Sequence, residues 1–194
     1  MGGLVLARTL DTSGGNGDQA TVLESLLRLK AQNVVFAGIT DRPATEACYQ
    51  AGVGARVSLS IGATLDPQAS RPVKTDAVVR FLLDEKNTAR REAVVQIQGI
   101  MLVLSAYRRP YHNIEDFTRF GLDPKSFKII VVKSGYLSPE LAPIANPSLM
   151  ALSDGAINQD IVNLPANRHR RPSYPFVANL SFTPKVYESA RNRR

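Results

Sequence analysis

Asp11-Thr12-Ser13-Gly14-Gly15-Asn16-Gly17-Asp18 stands between two apolar patterns of different period. Before it lies the short run Leu4-Val5-Leu6-Ala7; after it, Val22, Leu23, Leu26, Leu27 and Leu29 recur at helical spacing. The order is strand, glycine-rich loop, helix, which opens an α/β layer. Gly14, Gly15 and Gly17 let the backbone enter the left-handed region and approach a ligand or another element closely. The start of the following helix offers N–H groups without helical partners and the positive end of a dipole, a setting for an anion or a carbonyl. A plainer reading also fits: a tight turn with Asp18 as helix N-cap. The loop has neither the lysine of a P-loop nor the spacing of a dinucleotide fingerprint.

The pattern repeats. Residues 18–31 read as an amphipathic helix with a Glu24–Arg28 pair at i,i+4. Asn33 marks a turn and Val34–Ile39 a buried strand. Thr40 or Asp41 caps a second helix, with Pro43 in its first turn and Gly52 at its end. Asp11 and Asp41 therefore each follow a parallel strand, at the sheet edge where open α/β folds bind ligands. The middle of the chain changes period. Ala55–Ile61 alternates apolar and polar residues, and Val73–Leu83 and Ala93–Ser105 are strand-like, with a polar turn at 84–91 between them and Gly99 allowing a bulge or hairpin. The fold class expected is α/β: a mixed β-sheet with helices packed on it, a parallel βαβ start and an inserted antiparallel meander.

Helical and strand patterns alternate again from Asn113. A short helix spans 114–120 and closes at Gly121, Asp123-Pro124 turns the chain, and Phe127–Val132 is a strand ending in Lys133-Ser134-Gly135-Tyr136. Ser138-Pro139-Glu140 reads as a capped helix start, Leu149–Leu152 as a short strand, and Arg170–Pro175 as an extended, proline-bounded segment. Lys133 and Ser134 at a strand end can meet a carboxylate or phosphate, and Arg171 can hold a carboxylate bidentately. The bland readings are an ion-paired lysine and a surface arm packed by Tyr174.

Composition narrows the functions. The 194 residues are 44% hydrophobic and 21% charged, a globular balance. No apolar run approaches the roughly 20 residues that span a bilayer, so no membrane partner is expected. The net charge of +7 is concentrated at the end: seven basic residues and one acid lie from Arg168 onward, leaving 17 and 16 before it. A basic tail over 178–194 can contact phosphate, but such runs are more often only solvated. Cys48 is the one cysteine, which fits a reducing compartment, and its mid-helix, apolar setting suits the core. His112 and His169 are the two histidines and form no close ligand pair, so no metal site is expected within the chain.

Six stretches taken together resemble one family. They are Asp11 with Gly14-Gly15-Asn16-Gly17-Asp18; Gly38-Ile39-Thr40-Asp41-Arg42-Pro43-Ala44; Ala51-Gly52-Val53-Gly54-Ala55; Phe120-Gly121-Leu122-Asp123-Pro124; Ile130-Val131-Val132-Lys133-Ser134-Gly135-Tyr136; and Arg171-Pro172-Ser173-Tyr174-Pro175. In this order and spacing, over residues 3–177, the chain is similar to the C-terminal domain of the MlrC (microcystinase C) zinc metallopeptidases. The resemblance implies a bacterial, cytoplasmic hydrolase of amide bonds in small peptides. It also implies that the zinc is carried by an N-terminal domain that this sequence does not contain. Thr12 stands where the family usually has Asn, and Gly135-Tyr136-Leu137 follows Lys133-Ser134 where many members carry a His-Phe pair.

The expectation is a substrate-side or structural half-enzyme, inactive without its zinc domain. Asp11, Gly14, Gly15, Gly17, Asp18, Asp41, Lys133, Ser134, Tyr136 and Arg171 would form its cleft wall; the catalytic residues are left unassigned. The expected partners are the zinc domain, a small peptide substrate and, as an open point, further copies in a homo-oligomer. Two rivals stand beside it: a self-standing binding domain for anions or small ligands, and a nucleic-acid binder acting through the tail.

Overall fold

The computed structural model describes residues 5–9, 17–64, 71–152, 160–163 and 170–189. The chain divides into two compact units, residues 1–159 and 160–194. In the first, the elements follow in the order β1 (Val5–Thr9), α1 (Thr21–Arg28), β2 (Gln32–Thr40), α2 (Arg42–Ala51), β3 (Arg56–Ile61), β4 (Val73–Leu82), β5 (Glu92–Ile97), β6 (Gly99–Ser105), α3 (Glu115–Thr118), β7 (Ile129–Lys133) and β8 (Ser148–Ala151). The strands form one sheet in the order β3-β4-β5-β6-β2-β7-β1-β8.

The sheet is mixed, as the change of period in the sequence implies. β1, β2, β6, β7 and β8 run parallel to their neighbours in the β6-β2-β7-β1-β8 half. β3, β4, β5 and β6 pair antiparallel as a meander. β6 belongs to both halves: it returns from β5 through a hairpin at Gln98 (φ 51°) and then lies parallel to β2. The strand period of two splits β2 between two cores. Val34 and Phe36 join Leu23 and Cys48 under α1 and α2, whereas Val35 and Ala37 join Tyr111, Phe117 and Phe120 on the opposite face. Burial on both faces explains why β2 and β7 read as unbroken apolar runs.

Several local expectations give way. The first helix is Thr21–Arg28 rather than 18–31, and its N-cap is Ala20, without a side-chain cap bond. Asp18 is not that cap; it lies almost fully buried in the loop before the helix. Lys30, at φ 50°, ends the helical path. Asn33 lies inside β2, at a register shift and φ 59°. There its Nδ2 donates to Ser126 O at 3.1 Å, and its own carbonyl accepts from Lys128 N at 2.9 Å, which stitches β2 to the approach of β7. Ser138 caps no helix: its hydroxyl donates to His112 O at 2.7 Å, and only a 3-10 turn, Ala142–Ile144, follows. In the second unit, Arg170–Pro175 runs through bends and a turn rather than extended, with Val177 N donating to Ser173 O at 3.1 Å. Proline's fixed φ suits a turn as well as a strand. Tyr174 is 77% exposed and does not pack down an arm.

Gly38 in β2 has a packing reason for its identity. A Cβ there would lie 2.7 Å from Tyr111 Cε2 and 3.0 Å from Val103 O. The Tyr111 ring cannot yield, because its hydroxyl donates to Glu92 Oε2 at 2.7 Å. Gly38→Ala is therefore expected to lower stability by about 1–3 kcal/mol, the usual cost of overpacking, measured by urea unfolding. The mixed variant Gly38→Ala/Tyr111→Leu should recover part of that loss.

Candidate functional site

The registers Thr9↔Lys133 and Thr40↔Ser105 bring the C-terminal ends of β1, β7, β2 and β6 to one edge of the sheet. The loops leaving that edge carry most of the side chains that the sequence marks for function. In β7, alternation sends Lys133 to the same face as Val131, the face that α1 covers. There its Nζ donates to Gly17 O at 3.1 Å and to Gln19 O at 2.7 Å. The same loop is tied from two other directions. Thr40 N donates to Gly17 O at 3.0 Å, and Ala63 N to Asp18 O at 2.9 Å. Gly62 makes the last contact feasible: at φ 85°, with a hypothetical Cβ only 2.6 Å from Asp18 O, the position excludes any side chain.

Asp41 ends β2 and starts α2. One carboxylate oxygen accepts from Ala44 N at 2.9 Å as an N-cap, and the other from Gly62 N at 2.7 Å. Asp41 N donates to Ser105 O at 2.8 Å. The side chain is fully buried, and burial pushes its pKa up from 3.8; the two N–H bonds oppose the shift and the nearby Asp18 charge adds to it. Burial likewise pushes the Cys48 thiol up to about 11, with Asp41 reinforcing the effect, so the cysteine is an inert core residue.

The other side of the edge is organised by Glu92, the first residue of β5, which faces Ser105 of β6 and is fully buried. Its Oε1 accepts from Tyr107 Oη at 3.0 Å, from Arg109 Nη1 at 3.2 Å and from Arg119 Nη2; its Oε2 accepts from Tyr111 Oη. Arg109 also pairs with Asp116 and lies over the Tyr111 ring. Asp116 Oδ2 in turn accepts the backbone N–H groups of His112 and Asn113, both at 2.9 Å. These bonds fix the segment from Tyr107 to Asn113, which leaves the end of β6. His112 then meets the loop after β7: its Nδ1 is 2.9 Å from Tyr136 Oη, with ring centroids 4.8 Å apart. Ser134 shapes that loop by donating to Tyr136 O at 2.8 Å. A cavity of about 280 Å³ opens between the two loops, lined by Arg108, Arg109, Pro110, His112, Lys133, Ser134 and Tyr136.

Of the residues singled out in the sequence, Gly17, Asp18, Asp41, Lys133, Ser134 and Tyr136 lie at this edge. Asp11, Gly14 and Gly15 fall outside the described residues, and Arg171 belongs to the second unit. Sequence reasoning missed Glu92 and the Arg108–His112 segment. The available signal was a cluster of cations and aromatic rings immediately after a strand. Among the described residues, no three His, Cys, Asp or Glu side chains are grouped to hold a metal ion, so these residues do not fit a zinc site. No helix among them is long and apolar enough to cross a membrane.

The family described as "MlrC C-terminus" matches residues 11–168, and the chain belongs to that family. Among solved structures, a protein of Mesorhizobium sp. BNC1 described as a "putative metallopeptidase" superposes over 94% of this chain with a TM-score of 0.72 and 18% sequence identity. At that identity the likeness is one of fold. The match covers 40% of that protein, so this chain spans well under half of its length. No curated protein matches the chain.

Two outcomes are expected from these contacts. Lys133→Met keeps the bulk and removes the donors to Gly17 and Gln19. It should cost about 1–3 kcal/mol, the penalty for buried groups left unpaired, and should speed amide exchange in residues 17–20 before the rest of the sheet. His112 supplies a pH dependence. Burial holds its pKa below the ordinary 6.5 against the pull of Asp116, so the unfolded chain binds more protons in that window. Its contribution to stability is present above 6.5 and is lost as pH falls through the lowered folded value. Unfolding midpoints at neutral and mildly acidic pH should therefore fall more steeply for the wild type than for His112→Gln.

Proposed function

We propose that this chain is the substrate-side half of an MlrC-type peptidase or amidase acting on small peptides, with the zinc held by a domain outside it. The observation that carries the reading is the composition of the sheet edge. One edge gathers the Gly17–Ala20 loop and Asp41 beside an open cavity lined from the Arg108–His112 and Lys133–Tyr136 segments, while no group of metal ligands forms among the described residues. An edge rich in hydrogen-bond donors and poor in ligands binds and orients; it does not activate water by itself. Lys133 and Asp41 act here as positioning residues, since both hold backbone rather than reach outward. Family membership supports the hydrolase class, and a cytoplasmic setting goes with it as part of the proposal.

The test is reconstitution. The purified chain should hold no stoichiometric zinc and cleave no peptide. Mixed with a separately produced zinc-bearing N-terminal domain of an MlrC-family protein, it should support peptide hydrolysis, and variants at Tyr136 should raise KM more than they lower kcat. One equivalent of zinc and peptide cleavage by the chain alone would overturn the reading.

A further inference from the structure

The sheet ends on β3, an edge with few of the devices that keep a strand from pairing again. β3 stands first in the strand order, and β4 is the only strand paired with it among the described residues. The two match at every position from Arg56 to Ile61, without a register shift. β3 has six residues, with no proline, and Arg56 is its one charged residue. The opposite edge strand, β8, has only four. Exposed edges are commonly blunted by prolines, bulges, lysines or very short strands.

Hydrogen-bond parity fixes which backbone groups face outward. Just before β3, Val79 N donates to Ala55 O at 2.9 Å and Gly54 N donates to Val79 O at 2.8 Å, so Val79 directs both of its backbone groups toward this strand. Antiparallel pairing alternates from there. Val57, Leu59 and Ile61 therefore bond β4, and the N–H and C=O groups of Arg56, Ser58 and Ser60 point away from it. All three residues are exposed. The Ser58 hydroxyl donates to Asp76 Oδ1 at 2.5 Å, which draws the side chain over β4 and leaves the edge clear.

This row of groups is complementary to itself. Place a second β3 antiparallel to the first, with Ser58 opposite Ser58 on the twofold axis. Arg56 then faces Ser60 of the second copy, Ser60 faces its Arg56, and each pair can exchange both N–H···O bonds. No like charges stand directly opposite, the arrangement that would repel. On the face covered by α2, Val57 comes opposite Leu59 of the second copy. Leu59 is already in the core and Val57 is half-buried against it, so the apolar side of the strand continues across the axis. We propose that the chain forms a twofold dimer through β3, joining two eight-stranded sheets into one, with Ser58 at the centre of the register. A closed, isologous contact of this kind uses up the open edge on both copies.

The test is sedimentation velocity on the full chain across the micromolar range, which should show a monomer passing into a species of twice its mass. Ser58→Pro removes the central outward N–H and none that serves β4. Circular dichroism should stay as in the wild type while the dimer weakens about tenfold or more, the loss of two symmetry-related hydrogen bonds. Ser60→Glu, opposite Arg56 of the second copy, should tighten the dimer a few-fold, and Ser60→Lys should weaken it. These charge variants sit at an exposed position and decide the matter even if Ser58→Pro misfolds. Two cysteine variants read the register, since Cys48 is fully buried. Under mild oxidation Ser58→Cys should cross-link to its counterpart, because paired Cα atoms stand at disulfide distance, and Ser60→Cys should not. A monomer at every concentration, which would leave the edge to a different partner, overturns the proposal. So does a dimer indifferent to Ser58→Pro and to both charge variants, or one cross-linked by Ser60→Cys and not by Ser58→Cys.

Discussion

The edge of the sheet depends on a buried ammonium group. Lys133 ends β7 with almost no exposure and donates to two carbonyls of the loop before α1. Burying an amine is costly unless its donors are met, and here the partners are backbone oxygens of a loop that needs fastening. Thr40 and Ala63 donate to the same loop from β2 and from the end of β3. Asp41 then couples Gly62 to the start of α2. Four segments distant in sequence thus share one set of hydrogen bonds. None can shift without unpairing groups on the others, which is what makes such a buried network rigid when it is fully satisfied.

A second network mirrors it across the cavity. Glu92 is a buried carboxylate with two arginines and two tyrosines as donors, and Asp116 extends the set to the backbone of His112 and Asn113. A buried carboxylate met by two guanidinium groups is weak evidence for added stability, because desolvation offsets most of the attraction. Its evident consequence is geometric. The segment after β6 has no regular structure of its own, yet every turn of it from Tyr107 to Asn113 is held by a charged or hydroxyl group. The wall after β6 is thus held from the core by Glu92 and Asp116, and the loop after β7 is tied to it by the Tyr136–His112 and Ser138–His112 hydrogen bonds.

How much of this was legible depended on the range of the interaction. Asp41 followed by Pro43 and closed by Gly52 announces a helix through local chemistry alone, and α2 occupies that span. The change from helical to strand period announces the mixed sheet. Asp18 misled because a local rule, the preference of Asp for an N-cap, competed with a long-range one, the pull of the loop against Lys133 and Ala63. The Arg108–His112 segment was overlooked for a topological reason. Ala93–Ser105 reads correctly as antiparallel material, but its second strand also lies parallel to β2. That neighbour sends its C-terminal end to the edge that holds the cavity, and strand partners such as Thr40 and Ser105, far apart in sequence, leave no local trace. Glu92 was invisible for a related reason: Tyr107, Arg109, Tyr111 and Arg119, which donate to its carboxylate, lie well beyond it in sequence, and nothing in the polar turn before it distinguishes it from Glu85.

The division between the two networks bears on how the cavity beside them is held. If binding groups and metal ligands shared one set of loops, each movement of the metal site would alter substrate position. Here the His112 and Tyr136 rings that line the cavity hang on a frame of this chain's own hydrogen bonds. Preorganisation of that kind lowers the cost of orienting a peptide before any chemistry begins. Glu92 and Asp116 both bind Arg109 and so fix its direction beside the cavity.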